Sequence, residues 1–288
     1  MDMDKNAIYD IFIERMVKCS LQQELSLQII EAQKDSINTN YKDLIDKNQI
    51  DKPVSINNLI FYSWENNKII HYEMRDTTIN DLWEDTIFYH NKIYQWLLVT
   101  AFEAYERYLK EVSRMIFKGK SIKSASKALK KIRNKFPTYK DLEKNAHVEV
   151  NMEIIKQVFP ENIQNKIIVE NGYPKKYKKI FTKDTNNVFQ LALIEKMRHC
   201  IVHNNGRVAD KDKFLEKILT SIGLYNNGNY DKIYEGIVTS YFSKKFPDEI
   251  TLLEIPIEEF SGFSARTDVL FNLFQVLLNS VYYINKEL

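Results

Sequence analysis

Scarcity of chain breakers constrains this fold more than any other feature: 288 residues contain only seven glycines and six prolines. A many-turned β-sandwich needs frequent turn residues, whereas long helices need few. Hydrophobic residues make up 44% of the chain and aromatics 12%, enough for a packed core and unlike a disordered segment. The expected class is all-α, with one large domain or two modest ones within reach of this length.

Periodicity points the same way. Ala7 to about Asp35 reads as a long helix, with Ile8, Ile11, Met16, Cys19, Leu27 and Ile30 among its apolar positions. Ile93 to Phe117 is the clearest helix. Its apolar residues cover about half of the wheel, with Glu103, Glu106, Arg107 and Lys110 filling the remainder. Trp96 and Val99 fall outside that arc, which predicts burial from more than one side. Val188–His203 and Ala265–Asn285 are further helices, the latter a buried one. Pro53 marks a break. The stretch that follows is ambiguous: Leu59–Tyr62 and Lys68–Tyr72 flank Glu65-Asn66-Asn67, a pattern compatible with a small β-hairpin. The expected division is an N-terminal helical segment over 1–85 carrying that hairpin, and a helical domain over 86–288 with a basic insertion at about 118–185.

A net charge of +2 hides a strong asymmetry: residues 118–183 carry 17 basic and 6 acidic groups, net +11. The flanks, 1–117 and 184–288, are net −6 and −3. A segment this basic in a nearly neutral chain is an electrostatic footprint for a polyanion such as RNA. Lys127, Lys130, Lys131 and Arg133 lie on an expected helix over Ser121–Asn134. Lys175, Lys176, Lys178 and Lys179 surround Tyr177, a combination suited to phosphate contact with base stacking. A solvated lysine-rich surface is the competing reading of both clusters.

Cys19 and Cys200 lie far apart without partner spacing, the N-terminus lacks a signal-peptide pattern, and Val269–Ile284 is too short to span a bilayer. These features predict a cytoplasmic protein that does not enter a membrane.

Chemistry concentrates in Glu195-Lys196-Met197-Arg198-His199-Cys200-Ile201-Val202-His203-Asn204-Asn205-Gly206. On the helical wheel Phe189, Leu193, Ile194, Met197, Cys200 and Ile201 form a core arc, and Leu191, Glu195, Arg198, His199, Val202 and His203 lie opposite. Arginine fixes a phosphate in defined geometry and histidine moves protons near neutral pH. Glu195 stands where it can orient Arg198 or set the His199 tautomer. Arg198 and His203, however, project about 140° apart on one straight helix, so they cannot easily grip one small group together. The plain alternative is a helix C-terminus capped by basic side chains, with Asn204-Asn205-Gly206 as a left-handed stop. His199, Cys200 and His203 resemble zinc-ligand spacing, but Cys200 falls on the core arc and no second ligand pair has suitable spacing, which disfavours a metal site. No glycine-rich phosphate loop, Gly-x-Ser-x-Gly elbow or Cys-x-x-Cys pair occurs.

Arg198, four intervening residues and His203, with polar His199 directly after the arginine, resemble the Arg-x4–6-His signature of the HEPN superfamily. The helix Leu98–Glu106 is similar to the one that precedes the motif in many members. The resemblance covers about 91–117 and 188–208, extends less firmly to the closing helix, and does not reach the first 85 residues. It implies an up-and-down helical bundle acting as a homodimer whose two motif helices face each other, so that groups unable to converge on one helix converge between two. It also implies a metal-independent endoribonuclease needing no cofactor, of a kind found among toxins and antiviral abortive-infection factors, some of which cut tRNA and some of which act with an antitoxin or other defence-system protein. By the same resemblance Arg198 would polarise the scissile phosphate, His203 would serve as acid or base, and His199 would orient the phosphate. Glu195, Asn204 and Glu103 are supporting candidates. Some members have lost activity, which leaves a non-catalytic RNA- or protein-binding module as the alternative.

Overall fold

The computed structural model describes residues 5–66, 68–117, 187–222, 224–225, 228–253, 255–257 and 265–287. In chain order the elements are α1 (Lys5–Asn40), α2 (Lys42–Asp46), β1 (Pro53–Tyr62), β2 (Ile69–Thr78) and α3 (Ile79–Phe117). After the undescribed segment come α4 (Asn187–Asn204), α5 (Lys211–Ser221), α6 (Ile233–Thr239), β3 (Ile255–Ile257), β4 (Ala265–Thr267) and α7 (Val269–Glu287). The described residues are mostly helical, with two antiparallel two-stranded ribbons, β1–β2 and β3–β4. The chain is therefore not purely α. The ambiguous stretch after Pro53 is a hairpin of two long strands. The expected helix Ser121–Asn134, and with it Lys127, Lys130, Lys131, Arg133, Lys175, Lys176, Lys178 and Lys179, lies outside the described residues.

Two compact units divide the chain: residues 21–94, and residues 1–20 together with 95–288. In the first, β1 and β2 pair from Pro53 opposite Thr78 to Tyr62 opposite Ile69, with an irregularity between Leu59 and Ile60. Pro53 sits at the first strand position, where its missing N–H costs the ladder least. The turn is closed by the Ser63 N–H donating to the Lys68 carbonyl and by the Lys68 N–H donating to Asn66 Oδ1, each at 3.0 Å.

α3 starts fourteen residues earlier than its apolar period predicts, and the reason is local. Thr78 and Asp81 form a reciprocal capping box: the Asp81 N–H donates to Thr78 Oγ1 at 3.1 Å, and the Thr78 N–H donates to Asp81 Oδ2 at 2.9 Å. These bonds hold the Asp81 carboxyl below its usual range. The next turns then bury Ile79, Thr86, His90 and Asn91, a polar set that hides the apolar rhythm. His90 is only 6% exposed, its ring edge lies against Tyr94 at 4.3 Å, and its Nε2 has no partner. Burial, with Lys34 nearby, depresses its pKa to about 4.

In the other unit, Tyr94's successors on α3 are buried almost all round: Leu97, Leu98, Val99, Ala101, Phe102, Ala104, Tyr105, Tyr108 and Leu109. Val99, outside the apolar arc, is buried, as enclosure from more than one side predicts, whereas Trp96 is exposed and departs from that expectation. Phe12 of α1 packs its ring on Tyr108 at 5.7 Å. α4 touches α5 and α7, and α5 touches α6. Phe189 of α4 packs its ring, tilted by 42°, on Tyr234 of α6 at 4.5 Å. Asp210 caps α5 by accepting from the Lys213 N–H at 2.9 Å, which lowers its pKa. α7 buries Leu270, Leu273, Phe274, Leu277 and Val281, the buried closing helix that its sequence predicts.

Candidate active site at the end of α4

α4 has two different halves. Phe189, Leu191, Ala192, Leu193 and Ile194 are all buried, so its first turns are enclosed from every side. Leu191, placed by the wheel on the motif face, belongs to the core instead. Packing against more than one neighbour at this level overrides a single-sided pattern. From Glu195 onward burial becomes one-sided: Met197 and Ile201 remain inside, while His199, Val202, His203 and Asn204 are exposed and Arg198 is partly covered. Cys200, expected on the core arc, is half-buried, and burial pushes its thiol pKa up.

α4 ends abruptly. Asn205 and Gly206 both adopt positive φ, +53° and +79°, and the Gly206 N–H reaches back to the Cys200 carbonyl at 3.0 Å. This is the left-handed stop expected of Asn204-Asn205-Gly206, in a Schellman-type form. Gly206 is required for a second reason. A Cβ there would meet the Gln95 side-chain amide at 2.6–2.8 Å. Gln95 is itself buried on α3, donating through Nε2 to the Ile250 carbonyl at 2.7 Å and to Glu249 Oε1 at 3.2 Å. The Ile250 N–H returns a bond to the Gly206 carbonyl at 2.9 Å, and the Val208 N–H bonds the Asp248 carbonyl at 2.7 Å. The stop after the motif is thus clamped between α3 and residues 248–250.

Arg198 is held by α3. Its Nη2 lies 3.8 Å from Glu106 Oε2 and 4.0 Å from Glu103 Oε1. Glu103 was a candidate on sequence; Glu106, one helical turn away on the same face, makes the shorter approach. Burial raises the Glu106 pKa against the opposing pull of Arg198. Arg198 Nε is buried without a hydrogen-bond partner, so the guanidinium is incompletely satisfied. Ion pairs this long between partly exposed groups are worth at most about 1 kcal/mol. An oxyanion presenting two oxygens in fork geometry can compete with them.

His199 and His203 lie one turn apart, their ring centroids 4.6 Å from each other and their planes tilted by 50°. Partial burial, then the charges of His203, Lys196 and Arg198, lower the His199 pKa, with Glu195 opposing weakly. The neutral ring is the favoured form of His199. Glu195 pairs with Lys196 at 3.3 Å, while the carboxylates at Arg198 come from α3. The orienting role expected for Glu195 toward the arginine therefore falls to Glu106 and Glu103. Asn204 is exposed as the last residue of α4, and its carbonyl accepts from the Arg207 N–H at 3.0 Å.

The site therefore gathers one guanidinium, two imidazoles and two flanking carboxylates on an open surface, beside exposed Val202 (39%) of α4 and in a unit that also exposes Trp96 (55%). Among the described residues, no group of three or more His, Cys, Asp or Glu is placed to share a metal ion. No helix among them is long and apolar enough to cross a membrane. No family model matches the chain, and neither a curated protein nor a solved structure matches it.

Proposed function

We propose that the chain is a HEPN-type endoribonuclease: a homodimer that cuts RNA, with tRNA as a candidate substrate, without a metal ion, in toxin or antiviral defence within the cytoplasm. The observation carrying this reading is the single open face at the end of α4 that displays His199 and His203 beside an incompletely satisfied Arg198. Exposed Val202, an apolar residue among polar ones, supports a second copy across that face. Two copies would bring two arginines and two His203 rings to one cleft.

In that cleft Arg198 neutralises the phosphate and steadies the charge that builds in the transition state. One His203 takes the proton of the ribose 2′-hydroxyl as its oxygen attacks phosphorus. The second His203 protonates the departing 5′-oxygen, leaving a 2′,3′-cyclic phosphate. The neutral form favoured at His199 suits hydrogen bonding to the phosphate. Residues 118–183, net +11, supply backbone grip that weakens with salt.

Incubating the protein with a tRNA pool in EDTA, beside Arg198→Ala and His203→Ala, tests the reading. EDTA-resistant cleavage that both variants lose is the expected outcome. A wild-type protein that is monomeric and cuts no RNA defeats it. The second reading, a non-cleaving RNA- or protein-binding module, is favoured by one observation, the pairing of Arg198 with Glu103 and Glu106. It predicts RNA retention without product, unchanged by His203→Ala.

A further inference from the structure

Trp96 stands 55% exposed on α3 although both its chain neighbours, Gln95 and Leu97, are buried. The Gln95 side chain is bonded to the Ile250 carbonyl, so the backbone beneath the indole is held in place. Two contacts set α3 against the end of α4, both within residues 95–288. Gln95 lies against Gly206, and Glu103 Oε1 approaches Arg198 Nη2 at 4.0 Å. Chain numbers rise along α3 as they fall along α4, so the two run antiparallel. Trp96 then comes about level with Asn205, just past His203. Seven residues, close to two turns, separate Trp96 from Glu103, so both project to nearly the same side of α3. They lie about 10 Å apart along its axis. The side of α3 that meets Arg198 thus carries an indole two turns away, with exposed Thr100 between.

We infer that Trp96 is a stacking platform for an unpaired base of the RNA whose phosphate lies at Arg198. This subsite rests on the ribonuclease reading and extends it by one contact. An indole face stacks on any base, and about 10 Å is within reach of one or two nucleotides of an extended strand. A base inside a duplex keeps its faces against its neighbours, so the platform takes loops or single strands. The surroundings favour a base over a second protein chain. Thr100, Asn204 and Asn205 are the polar residues exposed at these levels of α3 and of the end of α4. The centre of a protein interface is instead apolar and ringed against water.

Binding tests the platform without needing cleavage. In a His203→Ala background, Trp64→Phe/Trp83→Phe leaves Trp96 as the single indole of the three in the chain. Oligouridylate should quench its fluorescence, and the same strand paired with oligoadenylate should not. With the other two tryptophans kept, Trp96→Ala should raise the Kd for oligouridylate at least about fivefold in filter binding. Trp96→Phe should retain most of the affinity, and thermal midpoints and self-association should not move. No quenching by the single strand, equal quenching by the duplex, or an unaltered Kd in Trp96→Ala each overturns the inference. So does a Trp96→Ala variant that loses self-association while keeping its RNA affinity, since the indole then belongs to a contact between copies. A protein that stacks the strand at Trp96 yet cuts no RNA defeats the ribonuclease reading alone. One that cuts RNA with no change in KM on Trp96→Ala defeats the platform alone.

Discussion

His90 and the His199–His203 pair carry the same imidazole into opposite environments. His90 is enclosed in the unit of residues 21–94, its Nε2 unmet and its ring against Tyr94. The pair stands on the exposed final turns of α4, where both rings meet solvent. Desolvation lowers the pKa of both His90 and His199, yet only for His90 does it drive the value to about 4. A histidine held neutral in a core is a packing residue that protonation can expel. A histidine on an open helix end is free to exchange protons with a ligand. Burial, and not residue type, separates the packing histidine from the proposed catalytic ones.

The largest expected effect breaks the comparison along function. His203→Ala or Arg198→Ala should lower RNA cleavage by about 10²–10⁴-fold with little change in thermal midpoint. His90→Gln should do the reverse, lowering stability and sparing the cleavage rate. Equal rate losses in His90→Gln and His203→Ala would erase the distinction. Next comes acid. His90 has a folded pKa near 4 against 6.5 unfolded, so the unfolded chain binds the extra proton between those values. Stability is complete above pH 6.5 and falls as pH drops toward 4, by about 3 kcal/mol from this residue. Chemical denaturation across that window should show a shallower slope for His90→Gln than for wild type.

Smaller effects sharpen the contrast from the backbone. Gly206→Ala forces a side chain into positive φ and against the Gln95 amide, and should cost about 2 kcal/mol while moving His203 out of place. Cleavage would then fall although every motif side chain is intact, as paired unfolding and activity assays can read. Thr78→Ala removes one arm of the capping box beneath the helix that carries His90, at a cost of about 1 kcal/mol and no loss of cleavage.

Long helices were legible in the sequence because an apolar period repeated over many turns identifies them. α4 and α7 lie within a few residues of where that period puts them. The first turns of α3 were not, because Thr86, His90 and Asn91 occupy its core side. The Thr78-x-x-Asp81 spacing was the signal that could have found its start. α5 and α6 are too short for periodicity, although Asp210 marks an N-cap. At the candidate site, Arg198, His199 and His203 stand out in the sequence by their spacing, and their proposed roles come from the family resemblance. The partner of Arg198 could not. Choosing between Glu103, Glu106 and Glu195 depends on how α3 and α4 are rotated against each other, which is a property of tertiary packing.

The bond from Gln95 to Ile250 joins residues 155 apart in sequence. During synthesis α4 is made before residues 248–250 exist to clamp its end, and domains organise from the N-terminus as they emerge. A chain halted at Lys245 would contain the whole motif yet lack the anchor that fixes the turn after His203, and it is expected to cut no RNA. For a proposed ribonuclease born beside ribosomal RNA and tRNA, that order of assembly would work as a safety delay: the part proposed to meet RNA is completed only once residues 248–250 have been made.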